Sequence, residues 1–452
     1  MTKSLRNLWA RFLFQDKGIL PSRRLLTLFL AFSCGLVLLS FFGLPWLWLF
    51  IADGFFIAGS LLDLLVSPRK KQLDYTRTIP EELERDKAYS VEIEVKNSSS
   101  YGCTINLKDG LPQSFQAAFP LAGTVNRQSS AVISYQTIAP VRGKYELGKL
   151  YVRYGSKFGL WQKQVTPTIT DTVKVIPDLT QTRQYLEDAQ KFLMDQGAKI
   201  RKHKNGEGEF AKIREYVVGD DPRKINWRQT AKLQEVMAND YEPEHGKYVT
   251  ILIDCGRMMG AELKESNRLE KALEAAMTVS AAALDNGDYV SVLAFSKDVR
   301  CFVPPAKGMS HLQKILEAIY DLEVDPSESN YAAVFNYIQS MQKKRSLLLL
   351  FSDIQTFLHE ESPLLYLQRL RRKHYFLMIG IEDEALKAWT KQTPENVQKA
   401  MMKSMAQQQI QIKKQRKNHW ERQGLSIVEA KEERLATAAV SRYIHIMNQG
   451  LL

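Results

Sequence analysis

The chain has 452 residues, of which 45% are hydrophobic and 25% are charged, so it is too long for one ordinary hydrophobic core and apolar enough to fold throughout. Its formal net charge of +12 favours an anionic neighbour, either the inner leaflet of a membrane or a nucleic acid. The four cysteines have neither a CxxC pair nor zinc-like spacing, which argues against a disulfide framework. Two soluble domains and an anchor are therefore expected.

The apolar stretch at residues 25–66 is interrupted mainly by Gly43, Leu44 and Pro45, which turn a chain easily. Each half is about one bilayer crossing long, roughly 20 residues. Because a second apolar span follows the first at once, a transmembrane α-hairpin is favoured over a signal peptide. Basic residues flank the hairpin on both sides and prefer the cytoplasm. Residues 1–24 are thus predicted to form a cytoplasmic segment, and both termini to lie in the cytoplasm.

Two carboxylates, Asp53 and Asp63, fall within this apolar stretch. Ionisable residues inside a membrane are candidate functional sites. Alternatively, Asp63 lies near the membrane interface and Asp53 near the turn. The sequence leaves their role open.

Residues 70–178 show a different pattern, in which apolar and polar residues alternate, as at 90–96 and 131–137. Clusters of Asn, Ser, Gly and Pro separate these segments. About seven short strands fit the pattern, which predicts an all-β sandwich.

Residues 179–246 are polar and charged, and are interpreted as a connector that holds the segment REYVVGDDPRKINW at 214–227. One interpretation is a folded, ion-paired connector in which Arg and carboxylate side chains bond locally while Tyr216 and Trp227 pack. The other is an interaction surface. No nucleophile, phosphate loop or positioned histidine accompanies the carboxylates, so no catalytic residue is assigned. The candidate partner-binding residues of this segment are Arg214, Glu215, Asp220, Arg223 and Trp227.

Residues 247–452 alternate strand and helix patterns, which predicts an α/β doubly wound sheet. The clearest strands are at 248–254, 289–295, 346–351 and 375–381, with a last one at 425–429. Asp254 and Asp353 fall at or just beyond the ends of two of them. Open α/β sheets bind ligands at this edge, and two converging carboxylates are typical of a hard-cation site.

The segments at 252–259, 351–353 and 214–227 together resemble domain-of-unknown-function family 58, and the resemblance extends over nearly the whole chain. Members of that family resemble von Willebrand factor A domains in their C-terminal part and often follow a transmembrane hairpin and a β-rich region. The resemblance implies a multidomain chain: an N-terminal transmembrane α-hairpin, an all-β sandwich and a von Willebrand A-like domain.

In von Willebrand A domains, hydroxyls and carboxylates hold a magnesium ion that takes a partner's carboxylate. In this chain the two serine positions are Gly256 and Met258, which are poor ligands for a hard cation. No metal or other cofactor is therefore expected, and Asp254, Ser329 and Asp353 would be the ligands if Mg²⁺ bound. The damaged site still predicts a protein-binding loop edge. Its residues are Asp254, Gly256, Met258, Asn330 and Asp353.

The resemblance further implies work beside a MoxR-type AAA+ ATPase and other von Willebrand A-like proteins. The expected function is a non-enzymatic adaptor in the assembly, maturation or stress response of a protein complex, anchored by two passes in the inner (cytoplasmic) membrane of a bacterium. One alternative is a magnesium-dependent hydrolase using Asp254 and Asp353. Another is a membrane-tethered nucleic-acid-binding protein using the basic cluster at 413–417. Nucleic acid is not expected, because no recognised binding module is present.

Overall fold

This computed structural model describes residues 18–41, 45–196, 209–217, 220–242, 246–264, 266–359 and 362–452. The chain mixes helices with sheets and divides into two compact units, Met1–Ile176 and Pro177–Leu452. Most of the predicted cytoplasmic segment at residues 1–24 and the predicted turn at Gly43 and Leu44 lie outside the described residues.

The apolar stretch forms helices α1 (Arg23–Ser40), α2 (Trp46–Ser60) and α3 (Leu62–Val66). Helices α1 and α2 contact each other through the stacked rings of Phe32 and Phe56, whose centroids are 4.9 Å apart. The Ser33 hydroxyl donates to the Asp53 carboxylate at 2.9 Å, so Asp53 has a partner within the helical pair. Among the described residues one helix, Trp46–Gln72, is long and apolar enough to cross a membrane. The two-pass topology stays a prediction.

The following residues form a sandwich-like pair of sheets, as the alternating pattern predicts. One sheet has seven strands, including β1 from the chain before α1, and the other has four. The number of strands exceeds the prediction because several are edge strands of two or three residues, too short to show alternation. The strands are β1 (Ile19–Pro21), β2 (Leu73–Thr78), β3 (Glu82–Glu84), β4 (Ala88–Asn97), β5 (Cys103–Asp109), β6 (Gln116–Ala117), β7 (Leu121–Val125), β8 (Ser129–Ile138), β9 (Gly143–Ser156), β10 (Trp161–Val165) and β11 (Thr168–Ile176).

The core of the sandwich lies between the two sheets. Val91, Ile93 and Val95 of β4 are fully buried, whereas the residues between them are exposed. This period of two is the packing signature of a strand with one face on the core. The alternation at residues 90–96 therefore predicted the face of the strand as well as its presence.

The predicted connector is more structured than its polar sequence indicated. It forms helix α4 (Thr180–Gln196), the antiparallel strands β12 (Glu209–Glu215) and β13 (Met237–Glu242), and helix α5 (Trp227–Leu233). The hydroxyls of Thr182 and Thr278 are hydrogen bonded at 3.1 Å. Helix α4 thereby packs on the α/β region that follows.

A six-stranded sheet forms the centre of the second unit. Its spatial order is β16, β15, β14, β17, β18, β19, and all neighbours are parallel except the edge pair β15 and β16. The strands are β14 (Tyr248–Asp254), β15 (Tyr289–Phe295), β16 (Val299–Ala306), β17 (Ser346–Phe351), β18 (Tyr375–Ile381) and β19 (Ser426–Ala430). Strands β14, β15, β17 and β18 have the predicted bounds, because buried parallel strands are continuous apolar runs.

Helices connect these strands, or in the case of the last one follow them, and pack beside the sheet. They are α6 (Arg268–Asp285), α7 (Ser310–Ile319), α8 (Tyr331–Met341), α9 (Ile354–His359), α10 (Ser362–Arg371), α11 (Glu384–Lys391), α12 (Val397–Arg422) and α13 (Leu435–Asn448). Parallel strands present their carboxyl ends at one edge of the sheet, so the loops after β14 and β17 meet there.

Candidate functional site

Asp254 is the central polar residue at the carboxyl edge of the sheet. It ends β14 and is 1% exposed. Its Oδ1 accepts from the backbone N–H of Gly256 at 2.8 Å and from the Ser329 hydroxyl at 2.5 Å. Its Oδ2 accepts from the Tyr331 hydroxyl at 2.9 Å and from the Ser352 hydroxyl at 2.5 Å. Because an ionised carboxylate offers about four acceptor positions, these four donors fill it.

Two opposing effects act on the ionisation of Asp254. Burial raises the pKa of its carboxyl group, because desolvation disfavours the charged form. The four donors stabilise the ionised form and lower the pKa. Burial is the larger effect, so the pKa lies above its ordinary value.

Asp353 is neutralised by a cationic side chain. It forms an ion pair with Arg268 at the start of α6. Its Oδ2 also accepts from the backbone N–H of Thr356 at 2.9 Å and from the Thr356 hydroxyl at 2.7 Å. Asp353 therefore caps the first turn of α9 while Arg268 balances its charge.

The remaining predicted residues of this edge surround Asp254. Gly256 is so close to Ser329 that a Cβ atom on it would lie 2.0 Å from the Ser329 Oγ. Asn330 caps α8 by accepting from the backbone N–H of Ala333 at 3.0 Å. Met258 lies on the surface and is 39% exposed. The structure thus brings all five predicted edge residues to one end of the sheet.

The predicted residues of the 214–227 segment lie in and beside the β12–β13 hairpin. The guanidinium of Arg214 donates to both carboxylate oxygens of Asp220, at 2.7 and 2.8 Å. This bond lowers the pKa of Asp220 to about 2. The Tyr216 hydroxyl donates to the Asp220 carbonyl at 3.0 Å. The predicted local ion pair is therefore confirmed, whereas Val218 and Gly219 lie outside the described residues.

The expected packing of Trp227 is wrong, since its side chain is 70% exposed. Asn226 caps α5 by accepting from the backbone N–H of Gln229 at 3.1 Å. The helix therefore begins at Trp227 and leaves the indole on the surface. Glu215 and Arg223 are also exposed. In this segment Arg214 and Asp220 hold the loop, and the other predicted residues are available to solvent.

Comparison with known proteins assigns a family to most of the second unit. Residues 212–424 match the profile of the family described as "Protein of unknown function DUF58". We name residues 212–424 the DUF58 domain, after the family whose profile they match. The resemblance predicted from sequence is confirmed, although the match covers these residues rather than nearly the whole chain.

A curated relative that this chain is similar to is the uncharacterized protein YeaD of Bacillus subtilis. It is 23% identical over 206 residues, which are 45% of this chain and 49% of YeaD. The match thus spans about half the length of the relative.

Two solved structures also match part of this chain. One is an ASH/PapD-like domain of human CEP192, which is 10% identical; the match covers 23% of this chain and 85% of that chain. The other is WR4, an MSP family member of C. elegans, which is 9% identical; the match covers 23% of this chain and 97% of that chain. The TM-score of 0.17 for each is too low to establish a common fold.

The carboxylate oxygens at this edge of the DUF58 domain do not fit a binding site for a hard cation such as Mg²⁺. Magnesium prefers carboxylate and other oxygen ligands with free lone pairs, but those of Asp254 are filled by N–H and O–H donors. Asp353 is paired with Arg268. Over the part of the chain that the structure describes, no group of three or more His, Cys, Asp or Glu side chains is placed to hold a metal.

Sequence reasoning on the DUF58 domain missed three residues of this edge, namely Arg268, Tyr331 and Ser352. Ser352 directly precedes Asp353 and follows a predicted strand, so its place at the edge was available from the sequence. Tyr331 is 77 residues from Asp254, and Arg268 is 85 residues from Asp353. No local pattern pairs residues at such separations.

Changing Gly256 to serine should destabilise the DUF58 domain rather than restore a metal site. The new Cβ would overlap the Ser329 hydroxyl, and overpacking of this kind costs about 1 to 3 kcal/mol. Hydrogen exchange of the peptide covering β14, in the full chain, measures the effect. The matched control is G256S combined with Ser329→Ala, compared with Ser329→Ala alone, because this substitution removes both the clashing oxygen and one donor to Asp254. In that background G256S should cause little further acceleration of exchange. Unchanged exchange in G256S alone would contradict the packing.

Proposed function

We propose that this chain is a membrane-anchored protein-interaction protein, whose C-terminal domain binds a protein partner through the carboxyl edge of its sheet without a metal ion. The observation that carries the proposal is the saturation of Asp254 by four donors. A carboxylate with no free acceptor position serves as a structural brace for the surrounding loops. The loops that Asp254 holds, after β14, before α8 and after β17, then contact the partner without an intervening metal ion.

The proposal includes a von Willebrand A-like fold for this domain. Its support is a mainly parallel sheet with one antiparallel edge strand, and an aspartate at the end of the central strand β14. The four donors replace the cation-centred arrangement expected of such domains, since three hydroxyls and a backbone N–H meet Asp254 instead. Arg268 supplies a positive charge beside Asp353.

The surface of this edge has the composition of a contact site. Met258 is 39% exposed and is flanked by Arg257, whose guanidinium is 3.2 Å from the Glu328 carboxylate. The side chains of that ion pair are 61% and 78% exposed. Methionine and arginine are enriched in protein interfaces. The partner we propose is a MoxR-type AAA+ ATPase, on the resemblance given above, with the chain acting as an adaptor in assembly, maturation or stress response.

The proposed anchor is the pair α1 and α2, spanning an inner membrane twice with both termini in the cytoplasm. The strand β1, which precedes α1, pairs with β10 of the sandwich. The chain that follows α2 also contacts β10, through Lys163 and the carbonyl of Leu64 at 3.2 Å. Because both ends of the helical pair return to one strand, they favour one side of the membrane.

The alternative functions have less support. A hydrolase would need Asp254 or Asp353 free to bind metal or water, and both are engaged. A nucleic-acid site at 413–417 would need free cations, yet Lys413 and Lys417 both contact the Glu429 carboxylate, at 2.6 and 3.5 Å. No observation favours either function over protein binding.

Changing Met258 to aspartate should weaken binding to a purified MoxR-type ATPase about tenfold or more, because it places a charge in the centre of the contact. The measurement is the binding of the ATPase to the full chain in lipid nanodiscs. Met341→Asp is the matched control, since Met341 is 50% exposed at the far end of α8, and its affinity should equal that of the wild type. Equal losses in both variants, or none in either, would overturn the proposed surface.

A further inference from the structure

The turn between β9 and β10 lies against the end of the apolar helix. The backbone N–H groups of residues 160 and 161 each donate to the Asp63 Oδ2 at 3.0 Å. Those of residues 158 and 159 donate to the Ser156 hydroxyl oxygen at 3.0 and 3.3 Å. Ser156 itself donates to the Asp63 Oδ1. With four successive N–H groups bonded, the turn is a fixed structure rather than a loose loop.

Further bonds join this hairpin to the end of the helix. The Trp161 indole N–H donates to the Ser60 hydroxyl at 3.1 Å. The Lys163 ammonium donates at 3.2 Å to each of three carbonyls at the helix end, those of Leu64, Ser67 and Pro68. A cation at this position stabilises the orphan carbonyls of a helix C-terminus. The orientation of the turn relative to the helix is therefore set by several independent contacts.

Asp63 shows where this turn lies along the helix. Eighteen residues from Trp46 to Asp63 span roughly 25 Å at 1.5 Å per residue, which approaches the ~30 Å thickness of the hydrocarbon layer. If Trp46 is at the far interface, Asp63 and the turn bonded to it are at the near one. The structural role of the Asp63 carboxylate is therefore to hold this turn against the helix.

Apolar and basic side chains are exposed near the Asp63 end of the helix and the turn bonded to it. Phe158, at the tip of the fixed turn, is 70% exposed, and Leu62 and Leu65 on α3 are 63% and 74% exposed. An aromatic ring on a rigid tip suits insertion at a membrane interface. The exposed basic residues that bracket the helical pair and the turn are Arg23, Arg24, Arg69, Lys70, Lys71 and Lys157.

We propose that the Ser156–Trp161 turn is a membrane-interface anchor in which Phe158 inserts into an anionic lipid surface. The basic residues beside it contact the lipid headgroups, each favouring an anionic surface. The sandwich is then held on the bilayer at a fixed angle instead of moving freely at the end of a tether. This inference rests on the proposed membrane anchorage.

The test uses the full chain in vesicles of phosphatidylethanolamine and phosphatidylglycerol, with a photoreactive benzoylphenylalanine at position 158. The probe is aromatic like the native residue, so the turn should keep its fold. Probes at position 65, on the apolar helix, and at position 132, on the other sheet of the sandwich, are the two references; Val132 is 59% exposed. Mass spectrometry counts lipid adducts after illumination.

We expect lipid adducts at 158 to approach those at 65 and to exceed those at 132 about tenfold, since burying a phenylalanine ring strongly favours the apolar phase. If the probe at position 65 forms lipid adducts but the probe at position 158 forms no more than the probe at position 132, the inference is overturned and the proposed membrane anchor still stands. A chain that neither floats with the vesicles nor reacts at 65 would overturn both.

Discussion

Replacing Asp254 with alanine should destabilise the DUF58 domain by at least about 3 kcal/mol, because hydrogen bonds to a buried charged group are worth about 1.5 to 3 kcal/mol each and are not additive. The substitution leaves three hydroxyls and one backbone N–H without their common acceptor. The loops that they hold, after β14, before α8 and after β17, should open together.

Hydrogen exchange of the full chain, followed by mass spectrometry, measures this loss in one domain. Exchange in the peptide covering β14 should become roughly a hundredfold faster in D254A. The peptide covering β9 of the sandwich is the internal reference and should not change. Asp254→Asn is the matched variant, since it keeps the shape and two lone pairs and should lose less stability. Equal exchange in wild type and D254A would contradict the bracing role.

Replacing Arg77 with methionine should destabilise the sandwich by about 3 to 5 kcal/mol, as expected when one partner of a buried ion pair is removed. Arg77 and Asp109 are both fully buried, and their closest atoms are 2.5 Å apart. The guanidinium also donates to Asp171 at 3.0 Å. The Tyr135 hydroxyl donates to Asp109 at 2.7 Å. R77M would leave the Asp109 charge buried with one hydroxyl donor.

The same exchange experiment separates this effect from a general loss of stability. In R77M the peptides covering β2 and β5 should exchange faster, while the peptide covering β14 should not change. The double variant R77M with Asp109→Leu is the matched control, because replacing both members of a buried pair by apolar side chains is often neutral. Exchange in the double variant as fast as in R77M would show that the ion pair is not the cause.

The sequence predicts the sheet of the DUF58 domain well, because its strands are short apolar runs with clear boundaries. It predicts Asp254 and Asp353 at one edge for the same reason, since each lies at or just beyond the end of such a run. The hydrogen-bond partners of Asp254, by contrast, could not be predicted from the sequence. Ser329 is 75 residues away and Ser352 is 98 residues away, so only the folded chain brings these hydroxyls together.

Parts of the connector and the contacts of Asp63 could not be predicted from local sequence patterns. Helix α4 and the β12–β13 hairpin were missed because their sequences are polar and hold no long apolar period. Asp63 was seen as an anomaly in an apolar stretch, but its bond to Ser156 joins residues 93 positions apart. Polar residues that serve tertiary contacts leave no local pattern by which to recognise them.

We propose that Asp254 braces the partner-binding edge and does not hold a metal ion. The direct measurement is a manganese titration of the full chain in nanodiscs, followed by electron paramagnetic resonance, with Asp254→Asn as the control. We predict the same weak, non-saturating uptake for wild type and D254N, because four donors already fill the carboxylate. A saturable site in the wild type that D254N abolishes would contradict this bracing role and would support the metal-dependent functions.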